Sequence, residues 1–141
     1  MTHCNDRYLQ NNRLSSLLPG CLQPLKALLE LDLTSNRLSE LEEATFQTLT
    51  MLKKLFLGNN NLHDLPTGVF AAQTALKQLD LSGNALSTLN AAMVSPLKWL
   101  ESLAVARNNI SRVDNLLKML LVQEHSLLTD SNQLSAETYV R

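Results

Sequence analysis

The chain has 141 residues, 45% apolar but only 4% aromatic, and its 12 basic and 13 acidic side chains leave a formal net charge of −1. The length fits one domain, and a core so poor in rings must be built mainly from leucine. A near-neutral chain lacks the basic face that phosphate backbones or anionic lipid surfaces call for, so neither nucleic acid nor a membrane is an expected partner.

The opening residues, MTHCNDRYLQ, contain no apolar run of the kind a secretory leader needs. From Cys4 onward the chain falls into units of one length. Residues 52–65, LKKLFLGNNNLHDL, show the frame most clearly, LxxLxLxxNxLxxL. Asn12, Asn36, Asn60, Asn84, Asn108 and Asn132 mark the same register at steps of 24, without insertion or deletion. Six units are expected, starting near residues 4, 28, 52, 76, 100 and 124, and together they fill a single domain over 1–141.

The first unit carries Arg7 where the next four have leucine, and Cys4 at its leading apolar position, which reads as a small buried hydrophobe. Cys21 lies on a connecting segment and reads as free; a bridge to Cys4 would have to join different layers of one coil. The second, third and fourth units are complete, and the fifth substitutes Val105, Ile110 and Val113. The sixth keeps only Leu127, Asn132 and Leu134 and reads as a decayed repeat or frayed end.

Within each unit the LxLxx alternation is the period of a strand. Strands are predicted near 8–9, 30–33, 54–57, 78–81 and 102–105, stacked in parallel, with the rest of each unit serving as the crossover. Gly20, Pro66, Gly68 and Pro96 favour short irregular arcs there over long helices. A second apolar row, Leu22, Phe46, Phe70 and Val94, with Leu25, Leu49 and Leu97 three residues further on, predicts a spine beneath the convex side; Gln73 interrupts it. The recurrent asparagine stands where the chain leaves the strand. Its amide can satisfy backbone groups of its own coil and the next, which makes it a structural ladder and not a ligand site. Residues 114–128, DNLLKMLLVQEHSLL, break the pattern and predict a short helix near 115–128.

The frame resembles the "typical" class of leucine-rich repeats, LxxLxLxxNxLxxLPxxxFxxLxx, over nearly the whole chain. Residues 52–70, LKKLFLGNNNLHDLPTGVF, match every specified position through the phenylalanine. The repeats are similar to those of Toll-like receptors, lamprey variable lymphocyte receptors, platelet glycoprotein V and the carboxypeptidase N regulatory subunit. The resemblance implies an α/β solenoid: a curved right-handed coil with a parallel concave sheet and a mostly irregular convex side. It also implies an extracellular or cell-surface setting. Such proteins flank their repeats with cysteine-rich caps behind a signal peptide. Neither pattern occurs here, so a piece of a longer secreted or membrane protein is expected.

The non-leucine strand positions form columns across the units, and partner choice can be written there. One column is Asp6, Glu30, Lys54, Gln78 and Ser102; the next is Tyr8, Asp32, Phe56, Asp80 and Ala104. Tyr8 and Phe56 are aromatics of the kind enriched at interface hot spots. Asp32 and Asp80 are read first as solvated carboxylates, and Lys53, Lys54 and Lys77 as solvated surface. The face expected to bind a partner comprises Tyr8, Glu30, Asp32, Lys54, Phe56, Gln78 and Asp80. Asn109-Ile110-Ser111 is an N-x-S sequon, so Asn109 is an acceptor for N-glycosylation if the chain is secreted.

No nucleophile elbow, phosphate loop, dinucleotide fingerprint or zinc spacing is present, and His3, His63 and His125 have no metal-ligand spacing. No enzyme activity and no cofactor are expected. The function predicted is a non-catalytic module that binds a protein ligand or partner subunit on its concave face. The alternative is a regulatory or scaffold subunit, extracellular or intracellular, with no ligand-sensing role.

Overall fold

The computed structural model describes residues 6–18, 20–113 and 126–128. Strands β1 (Asp6–Tyr8), β2 (Glu30–Asp32), β3 (Lys54–Phe56), β4 (Gln78–Asp80), β6 (Ser102–Ala104) and β8 (Ser126–Leu128) form one parallel sheet in the order β1-β2-β3-β4-β6-β8. The register never slips: each residue faces the one 24 positions on, from Asp6↔Glu30 to Ala104↔Leu128. A repeat without insertions allows nothing else, because a one-residue slip would turn every leucine outward.

Leu31, Leu55, Leu79 and Leu103, at the strand centres, are almost wholly buried. Each contributes about 1.5–3 kcal/mol by leaving water. Arg7 holds the corresponding place in β1 and is exposed. Strands β2, β3, β4 and β6 are one residue shorter than predicted, and β1 lies at Asp6–Tyr8 instead of near 8–9, but the hydrogen bonding runs on: Leu33 N–H donates to Phe56 O at 2.8 Å and Ser35 N–H to Gly58 O at 2.9 Å. The chain then leaves the sheet through one left-handed residue per coil, at Asn11, Ser35, Asn59, Gly83 and Arg107, with φ between 52° and 66°.

Beside each left-handed residue stands the recurrent asparagine. Asn84 is typical: its Nδ2 donates to Leu57 O and Leu81 O at 3.0 Å each, and its Oδ1 accepts from Leu62 N–H at 3.1 Å. Asn36, Asn60 and Asn108 repeat the pattern. The ladder joins its own coil to the preceding one, not to the following one as expected, because each side chain points back along the stack. Among the described residues Asn12 reaches only carbonyls of its own coil, Leu9 and Gln10. Asn132 lies outside the described residues.

The return arcs are pairs of successive three-residue turns. Leu49 N–H donates to Phe46 O and Leu52 N–H to Leu49 O, and the same bonds recur in the other arcs. This spacing of three buries the second apolar row, where the Phe46 and Phe70 rings stack with centroids 6.3 Å apart and planes 10° from parallel. Gln73 does not break the row. It is fully buried, and its Nε2 donates to Phe46 O at 2.6 Å.

Three features differ from the sequence-based expectation. A four-residue helix, α1 (Ala91–Val94), replaces an irregular arc, because Asn90 Oδ1 caps Met93 N–H at 3.1 Å. A second, two-stranded parallel sheet joins β5 (Thr88–Leu89) to β7 (Arg112–Val113). The helix expected near 115–128 does not extend over its last three residues, which form β8; parallel pairing with β6 wins there over helical periodicity. Residues 114–125 lie outside the described residues. The sixth unit, read as decayed, still supplies a strand in register.

A candidate binding face

Side chains at the first and third positions of β2, β3, β4 and β6, with Tyr8 of β1, point away from the leucine core and form the columns named above. In the middle column the register places Tyr8 beside Asp32, Asp32 beside Phe56, Phe56 beside Asp80 and Asp80 beside Ala104. Tyr8 is 57% exposed, whereas Phe56 is only partly exposed, flanked on both sides by an aspartate. Of the two aromatics expected to bind, Tyr8 alone is well exposed.

Neither aspartate is merely solvated. Asp32 Oδ1 accepts from Thr34 N–H at 2.9 Å; Asp80 Oδ1 accepts from Ser82 N–H at 2.8 Å and from its hydroxyl at 2.5 Å. These are Asx-turn bonds that brace the chain as it leaves the strand. Asp80 also leans over the neighbouring coil: a Cβ on Gly58 would lie 3.2 Å from Asp80 Oδ2. The missing side chain at Gly58 gives that carboxylate its room.

In the first column Lys54 Nζ meets Glu30 Oε2 at 3.6 Å, and Gln78 follows, partly buried. Lys77 Nζ meets Glu101 Oε1 at 3.6 Å. Of the three lysines read as solvated surface, Lys54 and Lys77 each make a solvent-exposed ion pair, and Lys53 makes none among the described residues. Asn109 is exposed on the turn after β6, with Ser111 exposed two residues on. Among the described residues no group of three or more His, Cys, Asp or Glu is placed to hold a metal, and no helix is long and apolar enough to cross a membrane. Cys21 is a free, exposed thiol.

Sequence reasoning passed over Trp99 and Met51. Both are largely exposed, at 70% and 51%, and lie two coils apart at the tips of the turns that precede β6 and β3. Their equal offset within the 24-residue frame was the available signal, since each directly precedes a unit's first leucine.

An unbroken parallel ladder, a buried leucine row and an asparagine ladder together define a solenoid with one open sheet face. The chain belongs to the leucine-rich repeat family, whose model, described as "Leucine rich repeat", matches residues 8–62 and 50–110. Among solved structures it is similar to the protein in "Crystal structure of TLR13-ssRNA13 complex", with 32% identity and a TM-score of 0.82 over 92% of this chain and 18% of that one. It also shares its fold with the APL1 leucine-rich repeat domain, at 24% identity and a TM-score of 0.83 over 92% of this chain and 35% of that one. The chain thus spans well under half the length of either neighbour. A comparison with curated protein sequences found no match.

Proposed function

We propose that this chain is a non-catalytic recognition module whose concave sheet binds a protein partner, as part of a secreted or cell-surface protein of the receptor type. The observation that carries this reading is the middle column. Tyr8, Asp32, Phe56, Asp80 and Ala104 lie on successive strands in strict register, at intervals of about 4.8 Å, on a face whose alternate positions from β2 to β6 are leucines given over to packing. Variation there changes the surface without touching the core. Six strands of roughly five extended residues project about 480 Å2, less than the ~800 Å2 that each partner buries in a standard interface. The module therefore contributes part of a footprint.

The TLR13 neighbour is described in complex with single-stranded RNA. A protein partner is favoured here because the first column pairs its lysine with Glu30 and the middle column carries two aspartates and no basic residue, whereas RNA contact calls for uncompensated cations.

The test is site-specific photo-crosslinking. Benzoylphenylalanine replaces Phe56, and in a control replaces the exposed Glu43 on the opposite side, and each protein is applied to intact cells. Crosslinks at position 56 that are absent at 43, and that Tyr8→Ala weakens, support the concave face. Equal labelling at both positions overturns it. Secretion with an added leader tests Asn109: the product migrates as a glycoprotein, and Asn109→Gln abolishes the shift.

A further inference from the structure

The turn tips and the opposite flank of the coil carry complementary surfaces. Leu97–Leu100 and Leu49–Leu52 each close a turn by a backbone bond, leaving Trp99 and Met51 at the tips. A turn tip asks nothing of an indole, and one held 70% exposed gains nothing from the core. With the smaller Ala75 between them, the two side chains form an apolar ridge spanning about 9.6 Å at the ~4.8 Å strand spacing. Lys26, Lys53 and Lys98 surround it, exposed and without an ion pair among the described residues, while Lys77 is held by Glu101.

On the other flank, where the coils leave the sheet, a cleft of about 600 Å3 lies between the second and third coils. Leu41, Leu65 and Pro66 line it together with Ser39, Glu40, His63 and Asp64. Glu42 is exposed next to it. The ridge is therefore apolar with a basic rim, and the cleft is apolar with an acidic one.

We propose that the chain associates with a second copy of itself, the Trp99–Met51 ridge of one copy docking in the Glu40–Asp64 cleft of the next. The two flanks face opposite ways, so copies can dock side by side with the concave sheet left open. A net charge of −1 sets no long-range repulsion against this. The contact is heterologous, so each docked copy still offers one ridge or one cleft, and association continues beyond a dimer. Two anchoring side chains fall short of a standard interface, which puts the association in the micromolar range or weaker.

Trp99 is the only tryptophan, so its fluorescence reports on the ridge directly. Sedimentation velocity and Trp99 emission are followed from about 1 µM to about 1 mM. The weight-average mass should climb above 15.7 kDa with concentration while the emission moves to the blue. High salt should weaken both changes. Trp99→Ala, and separately the double variant Glu40→Lys with Asp64→Lys, should each weaken association at least ~10-fold. All three are surface changes, and circular dichroism checks that the fold survives.

The decisive arm mixes the two variants. One keeps an intact ridge and the other an intact cleft, so the mixture should form a one-to-one dimer and stop there. A chain that stays monomeric up to the highest concentration overturns the proposal. So does association indifferent to Trp99→Ala, or a mixture that fails to dimerise while the unmodified chain associates. A blue shift on phosphatidylserine vesicles by a monomeric chain would assign the ridge to a membrane and overturn it as well. Phe56 lies on neither flank, so the outcome is independent of the concave-face test.

Discussion

Gln73 Nε2 donates to the backbone carbonyl of Phe46, one coil back, at 2.6 Å, from a side chain that is fully buried. Its Oε1 is buried as well and finds no donor among the described residues. Both carbonyls that it reaches, Phe46 O and Leu49 O, already accept from the arc's own N–H groups. Replacing the amide by the leucine that the neighbouring coils carry therefore removes a half-satisfied polar group and orphans nothing. Gln73→Leu should stabilise the chain by about 1 kcal/mol, read as a higher urea midpoint with unchanged slope. Gln73→Ala, which leaves a cavity, should lose about 2 kcal/mol or more.

The asparagine ladder should be graded along the stack. Asn84→Ala strips a donor from Leu57 O and Leu81 O and leaves Leu62 N–H with no acceptor. A cost of about 3 kcal/mol follows from an orphaned donor plus the lost bonds. Asn12 is exposed and serves only its own coil, so Asn12→Ala should cost less than about 1 kcal/mol. Equal effects in parallel denaturation curves would contradict the coil-to-coil role.

The left-handed row gives a second pair of opposite sign. Ser35 holds a φ of 58°, a conformation that asparagine tolerates better. Ser35→Asn should raise stability by up to about 1 kcal/mol. Gly83 has a φ of 66°, and a Cβ there would meet Asn59 Oδ1. Gly83→Ala should therefore destabilise by about 1–2 kcal/mol, measured as a lower melting temperature.

The Glu30–Lys54 pair should matter little to stability. At 3.6 Å, with the lysine side chain half exposed, it is a surface ion pair. Lys54→Ala should change unfolding free energy by less than about 0.5 kcal/mol. The same variant frees Glu30 and makes the sheet face more acidic, so its effect on partner binding separates recognition from folding.

Much of this molecule could be read from a period. A step of 24 residues, an LxLxx alternation and a recurrent asparagine determined the parallel sheet, its register, the buried leucines and the convex spine, because identical units can bury their leucines only by stacking in phase. The sequence also named the columns that face outward. It did not reveal what those side chains do to one another. Asp32 and Asp80 turn back onto their own backbone, Phe56 is only partly exposed between them, and the asparagines reach to the preceding coil; each depends on side-chain direction, which a period does not carry. Gln73 looked like an interruption until the arc geometry brought two carbonyls within its reach, and Ser126–Leu128 carried helical spacing until β6 offered a partner. Composition and periodicity act within one unit and settle what is buried. Contacts between units decide hydrogen-bond partners and exposure, and those exist only once the coils are stacked.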